Sequence, residues 1–236
     1  MVRNVRLVLI VLAVLSLVGT ANATLLSTLI GPPGQTITIG DKVFGDWYFN
    51  VSFGSGVTAA GIDVTAYQQG TTYWLNFTGD MISDIVGGVS VPTDFQIYYS
   101  VATIDGRPLI IGIDQWFQLT SGGTGGTIAI AETVYSSNPL PGPPGAPVAS
   151  SNISFVLVGD YNDPPGEASQ GDQLVIQPPL SKVWVAKDIN LQPNQGGIVG
   201  TSILWQSFHQ VPEPGTLLLL GFGLSGLALW IRKNRK

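Results

Sequence analysis

Cysteine is absent from this chain, and histidine occurs once. Without a thiol the protein can form no disulfide, hold no thiolate-bound metal, attach no c-type haem and use no cysteine nucleophile. Its fold therefore rests on packing and on hydrogen bonds between strands. The single histidine, His209, has no evident serine and carboxylate partners, which argues against a Ser-His-Asp hydrolase. We expect His209 to be a single surface histidine.

Basic residues are scarce in the middle of the chain. Residues 24–210 contain four lysines and arginines against fourteen acidic residues, which gives a net charge of about −10. A surface of that sign repels the phosphate backbone, so we expect no nucleic-acid partner. It also repels anionic lipid, so we expect any membrane contact to come from another part of the chain.

The N-terminus has the three parts of a secretory signal peptide. Two arginines precede an apolar run over residues 7–18, and small residues follow at both positions of a cleavage site. We predict a signal peptide over residues 1–23, removed by signal peptidase, and export of residues 24–210 by the secretion machinery. An uncleaved signal anchor is the alternative, although the run is short for a membrane span. The residues of the predicted cleavage site are Ala21, Ala23 and Thr24.

The C-terminus combines three unrelated features. Pro212 and Pro214 fix φ and remove two backbone donors, so this segment stays extended and accessible. Residues 216–231 carry no charge, and as a helix they would span about 24 Å, a little less than a hydrocarbon core. A tryptophan and four basic residues then mark a membrane stop on the cytoplasmic side. These stop residues are Trp230, Arg232, Lys233, Arg235 and Lys236.

This layout resembles the PEP-CTERM sorting signal, with which certain Gram-negative bacteria deliver exported proteins to exosortase. The motif residues are Val211, Pro212, Glu213 and Pro214, and the resemblance covers residues 211–236. It implies a single transmembrane helix that holds the protein in the inner membrane until exosortase cuts near the prolines. A permanent, uncut anchor and a buried helix of a soluble protein are the alternatives.

The region between the termini has a β pattern throughout. Short runs rich in aromatic and β-branched residues alternate between apolar and polar positions and end at Gly and Asn turns. We predict an all-β fold, an antiparallel and jelly-roll-like β-sandwich, as one domain over residues 24–210. Residues 137–147, rich in proline, read as a long crossing loop, with a domain boundary as the alternative. The predicted strands cover residues 36–39, 42–44, 47–53, 61–67, 72–78, 95–103, 115–119, 127–134, 153–158, 173–177, 181–191 and 202–210.

Two groups of acidic residues are candidates for chemistry. Asp160, Asn162 and Asp163 form the densest set of oxygen ligands and are a weak calcium candidate, with a solvated acidic turn as the alternative. We predict no other metal site and no cofactor. Carboxylates for glycoside hydrolysis are available in number, but the sequence does not show which two would face each other. Examples are Asp63, Asp84 and Asp114.

Aromatic residues in the predicted strands are candidates for a sugar-stacking platform. Side chains alternate between the two faces of a strand, so about half of these residues should lie in the core instead. The residues concerned are Trp47, Tyr48, Trp74, Tyr98, Tyr99 and Trp116.

These observations favour a non-enzymatic protein of the cell surface or of an exopolysaccharide and biofilm matrix. On this hypothesis the protein is exported, held for a time in the inner membrane and cut by exosortase near Pro212–Pro214. The alternative is a carbohydrate-binding module or a glycan-active enzyme on the same anchor. The expected partners are signal peptidase, the secretion machinery, exosortase, the inner membrane and the exopolysaccharide.

Overall fold

A computed structural model describes most of the predicted exported region. The predicted signal peptide, up to Asn22, and the sorting signal after Val211 lie outside the described residues. Within the described part of the chain, no helix has the length and apolar character that a membrane crossing requires. The described residues are 23–31, 35–54, 56–86, 88–106, 108–140, 145–162 and 170–211.

Strands dominate these residues, together with one short helix and two single 3₁₀ turns at Ala59–Gly61 and Ile104–Gly106. The helix α1 covers Leu26–Leu29. The strands are Thr24–Leu25 (β1), Ile37–Ile39 (β2), Lys42–Phe53 (β3), Ile62–Gln69 (β4), Thr72–Ile82 (β5), Asp84–Val86 (β6), Val89–Val91 (β7), Thr93–Thr103 (β8), Ile110–Gly122 (β9), Gly126–Tyr135 (β10), Pro147–Leu157 (β11), Tyr161–Asn162 (β12), Gln170–Leu180 (β13), Lys182–Pro193 (β14) and Ile198–Gln210 (β15).

Two antiparallel sheets pack face to face, so the predicted β-sandwich is confirmed. The seven-stranded sheet has the order β1-β4-β5-β15-β9-β12, and β13 also pairs with β9. The six-stranded sheet has the order β11-β10-β14-β8-β3-β2, and β6 and β7 form a separate hairpin. The likeness to a jelly roll and the domain boundaries stay predictions. The first strand begins at Thr24 and the last ends at Gln210.

Every run predicted as a strand overlaps one in the structure. Residues 42–44 and 47–53 belong to a single strand, β3, whose pairing with β8 shifts between Gly45 and Tyr48. Asp46 lies at this irregularity with φ of 53°, and the local break in alternation explains why the sequence suggested two strands. The proline-rich segment joins β10 to β11, which pair with each other in the six-stranded sheet. It is therefore a hairpin connection and not the predicted crossing loop.

The inward side of the sandwich contains a polar cluster as well as an apolar core. Glu132 and Lys187 face each other across β10 and β14, are fully buried and form an ion pair. The Gln206 amide donates to both Glu132 oxygens, at 2.9 and 2.7 Å. Lys187 also donates to Gln115 Oε1 at 2.7 Å, and the Tyr99 hydroxyl donates to Gln206 Oε1 at 2.6 Å. We call these five residues the inner polar cluster, and its hydrogen bonds join the two sheets.

Burial sets the protonation behaviour of the inner polar cluster. Loss of water around Lys187 lowers the pKa of its amine, and the Glu132 carboxylate opposes this effect only in part. Burial and the same carboxylate raise the pKa of the Tyr99 hydroxyl well above its usual range. The tyrosine therefore stays a neutral donor to Gln206.

The last strand is held by its neighbours up to its final residue. The Gln210 amide oxygen accepts a hydrogen bond from Nζ of Lys42, a lysine that is fully buried and also pairs with Asp41. The N–H of Val211 donates to the carbonyl of Leu109 at 2.9 Å. The sandwich thus ends at the residue before Pro212.

Candidate functional site

The outer face of the seven-stranded sheet carries a row of large and polar side chains. Residues in register on neighbouring strands project from the same side of a sheet. The register therefore aligns five residues across β4, β5, β15, β9 and β13. They are Tyr67, Trp74, Ser207, Asp114 and Gln173.

Aromatic rings cluster on this face. The rings of Trp74 and Trp116 lie 5.3 Å apart between centroids, and Tyr67 stacks parallel to Trp74 at 5.9 Å. Strand β15 runs between the strands of the two tryptophans, and the small side chain of Ser207 beside Trp74 lets the rings meet across it. Trp205 pairs in register with Trp116 and faces the same way. We call Tyr67, Trp74, Trp116 and Trp205 the aromatic strip, and all four are half-buried.

An open groove of about 660 Å³ adjoins the aromatic strip. Asp114, Gln173 and His209 give it hydrogen-bonding groups, and Val175 and Pro178 contribute apolar walls. Val175 is 65% exposed, although it belongs to a strand of the sheet. The groove and the strip share the row that contains Asp114, so they form one surface.

His209 is partly exposed at the surface, but the expectation that it has no serine and carboxylate partners was wrong. Its Nε2 lies 2.5 Å from Asp114 Oδ2 and 3.1 Å from Ser207 Oγ, and the hydroxyl lies 3.3 Å from the same carboxylate oxygen. Strand pairing between β9 and β15 brings these residues together. The sequence separation of 95 positions between Asp114 and His209 hides this proximity.

The three residues do not have the geometry of a catalytic triad. In a triad the imidazole binds the carboxylate through one nitrogen and the nucleophile through the other. Here one nitrogen of His209 contacts both partners, and Ser207 is fully buried. The arrangement fits hydrogen bonding to a ligand in the groove, where the His209 side chain is 42% exposed.

The six aromatic residues predicted as a platform lie in three places. Trp47 and Tyr99 stack in the core, with ring centroids 5.5 Å apart. The pairing of β3 with β8 places Tyr48 and Tyr98 together on the outer face of the six-stranded sheet, at 5.6 Å. Only Trp74 and Trp116 belong to the aromatic strip, which Tyr67 and Trp205 complete. Tyr67 and Trp205 were not predicted as part of a platform, although both stand at alternating positions of predicted strands.

The carboxylates considered for glycoside hydrolysis do not come together. On the seven-stranded sheet, Asp63 and Asp114 are separated by three strand spacings across the sheet and by four residues along the strand direction. Together these offsets correspond to about 20 Å. That is about twice the longest separation used by glycosidases. The third candidate, Asp84, begins β6 in the separate hairpin.

A different carboxylate pair lies on the outer face of the six-stranded sheet. Asp94 and Asp188 are on the paired strands β8 and β14, and their carboxylates interact. Partial burial, followed by the influence of the neighbouring Asp188 carboxylate, raises the pKa of Asp94. This pair was not predicted from the sequence.

The calcium candidate is only partly placed. Oδ1 of Asp160 accepts a hydrogen bond from the Gly123 N–H at 2.9 Å, and this bond ties the two loops together. Asn162 ends β12, which pairs with β9, and Asp163 lies outside the described residues. No group of three or more metal-ligating histidine or acidic side chains occurs within the described ranges.

By fold, the described part of the chain is an all-β protein of two antiparallel sheets. A family model of the PEP-CTERM protein-sorting motif matches residues 210–233. The chain therefore carries this motif at its C-terminus, as its sequence predicted, and the motif implies an exported protein that exosortase sorts. No curated protein matches the chain.

Several solved structures have a loosely similar shape. TmCBM61 in complex with β-1,4-galactotriose is 12% identical, with a TM-score of 0.29 over 68% of this chain and 87% of its own. A cleaved adhesin domain of Lys-gingipain from Porphyromonas gingivalis is 10% identical, with a TM-score of 0.33 over 82% of this chain and 99% of its own. Endoglucanase 3 of Trichoderma harzianum is 10% identical, with a TM-score of 0.24 over 70% and 98% of the two chains. Similarity this low assigns no function.

Proposed function

We propose that the protein is a non-enzymatic component of the cell surface or exopolysaccharide matrix, and that its sandwich binds polysaccharide through the aromatic strip. Exosortase sorts it and cuts the tail near Pro212–Pro214. The observation that carries the binding activity is the contact of Trp74 with Trp116 on an outer sheet face. Large apolar rings on that side contribute nothing to the core between the sheets.

The surroundings of the strip support binding of a sugar polymer. Aromatic faces offer flat apolar area at low conformational cost, and sugar rings present apolar C–H faces that can pack on them. Asp114, Gln173 and His209 in the adjoining groove can exchange hydrogen bonds with hydroxyl groups. A few polar groups beside apolar walls are typical of ligand sites.

A binding role without catalysis fits the side chains on this surface. Ser207, the nearest hydroxyl to His209, is fully buried, and the carboxylates Asp63 and Asp114 are too far apart to act on one glycosidic bond. Binding alone is sufficient to retain an exported protein in a polysaccharide layer.

Substitution of the strip tests the binding activity. Trp74→Ala and Trp116→Ala should each weaken binding of the full-length protein, in detergent, to exopolysaccharide from the producing cells by about tenfold or more, because each removes stacking area. Tyr48→Ala and Tyr98→Ala, on the other outer face, are matched controls and should leave binding unchanged. Equal binding by all four variants and the unchanged protein would contradict this role of the strip.

Mass spectrometry of the protein recovered from the cell surface or medium tests the sorting step. We expect a mature chain whose C-terminus lies near Pro212–Pro214 and which no longer contains the tail. A mature chain that keeps Trp230 and Lys236 would show that the anchor is permanent. Deletion of the exosortase should then change neither the size nor the location of the protein.

A further inference from the structure

The surface formed by the aromatic strip and the groove carries almost no positive charge. Lys42 and Lys187 are fully buried inside the sandwich. Lys182 pairs with Asp46, which adjoins β8 of the six-stranded sheet, at 2.7 Å. Among the described residues, His209 is therefore the only group on this surface that can become cationic, and it lies against a carboxylate.

Asp114 dominates the electrostatics of this surface. Its carboxylate stands in the row that contains Trp74 and also lines the groove, so a ligand that occupies both passes over it. Asp114 is 7% exposed, so water screens its charge less than the charge of a fully exposed residue. The excess of acidic residues in the exported region adds to the same field.

The length of the row indicates a polymer and not a single sugar. It crosses five strands from Tyr67 to Gln173, and a strand spacing of about 4.8 Å makes it about 19 Å long. Amide and carboxylate groups recur along it at Gln173 and Asp114, and these groups are suited to exchange hydrogen bonds with hydroxyls.

We propose that this surface selects neutral, hydroxyl-rich polysaccharide and rejects polymers whose sugars carry carboxylate or sulfate groups, with Asp114 as the residue that determines the selection. This inference rests on the proposed polysaccharide binding and adds the chemical class of the ligand. A polyanion finds no lysine or arginine among the described residues of the surface and meets the Asp114 carboxylate. The charge of Asp114 does not repel a neutral polysaccharide.

Binding to matched polymers tests the inference. Full-length protein in detergent is assayed on immobilised β-1,4-galactan, mannan and cellulose, and on the same polymers oxidised at C6 to carboxylates. We expect binding to at least one neutral polymer, little dependence on salt, and about fivefold or greater loss on oxidation. Equal or tighter binding of the oxidised forms overturns the selection but leaves polysaccharide binding in place. Failure to bind any of the six overturns both.

Asp114→Asn separates the charge from the shape of the surface. In this variant the ratio of binding between the neutral polymer and its oxidised form should fall about fivefold. Both polymers meet the same new side chain, so any change in hydrogen bonding at this position affects both and cancels in the ratio. Asp63→Asn removes the same charge about 20 Å away on the same sheet and is the matched control, expected to leave the discrimination intact. Identical discrimination in Asp114→Asn and Asp63→Asn would overturn the role assigned to Asp114.

Discussion

Strands β9 and β15 contribute to both the inner polar cluster and the aromatic strip, and the two regions differ in how their polar groups are satisfied. Gln115 and Gln206 point inward and are fully committed to partners inside the protein. Their sequence neighbours Trp116 and Ser207 point outward, and the Trp116 side chain is half-buried like the rest of the aromatic strip. Alternation along one strand thus keeps stability and binding on separate residues, so substitutions should affect one property without the other.

Removal of the buried ammonium should have the largest effect. Lys187→Met leaves the Glu132 carboxylate buried without its charge partner, so we expect the free energy of unfolding to fall by about 3–5 kcal/mol. Denaturation of the full chain in detergent, followed by tryptophan fluorescence, measures the loss. Without denaturant, and at a temperature below the unfolding transition of the variant, polysaccharide binding should persist.

A second variant separates the buried charge from the lost packing. Lys187→Met combined with Glu132→Gln replaces the orphaned carboxylate by a neutral amide that can still pair with Gln206, so most of the stability should return, to within about 2 kcal/mol of the unchanged protein. A double variant no more stable than Lys187→Met would show that packing, and not charge, explains the loss.

Tyr99→Phe should reduce stability, whereas Trp116→Ala should reduce polysaccharide binding. The first removes the hydroxyl that serves Gln206 and should cost about 1–2 kcal/mol of stability, because a buried oxygen loses its donor, without weakening polysaccharide binding. The second should weaken binding about tenfold or more. Parallel denaturation and binding assays check both properties, and a Tyr99→Phe protein that folds but fails to bind would break the separation between the two regions.

The smallest expected effect concerns charge on the other outer face. Because the pKa of Asp94 is raised in the folded protein, its contribution to stability is fully present below its ordinary pKa of 3.8 and is lost as the pH rises through the folded value. Asp94→Asn removes this loss and should stabilise the protein at pH 7 by less than about 1 kcal/mol. The gain should vanish below the ordinary pKa. Asp80→Asn, at an exposed position of β5, is the control, and a gain that persists at low pH would contradict the titration argument.

The pattern of alternation predicted most of the long strands and the sandwich, since these features depend on periodicity within a strand. Elements such as β1, β12 and α1 span two to four residues and show no period. The sequence pattern placed Lys187 in a strand but did not show that it pairs with Glu132. It also did not show that His209 contacts Asp114, because the two residues are far apart along the chain. These contacts depend on which strands are neighbours and in which register, and such information lies between distant segments.

The end of β15 has a mechanical consequence. The N–H of Val211 and the side chain of Gln210 are both hydrogen-bonded to the body of the sandwich, so the chain is held in place up to the residue before Pro212. At Val211 the chain leaves the sandwich at the end that carries the β2–β3 and β4–β5 turns. The turn between β9 and β10 lies at the opposite end. A force applied through the tail would be transmitted along β15 in shear, which loads all its ladder hydrogen bonds together.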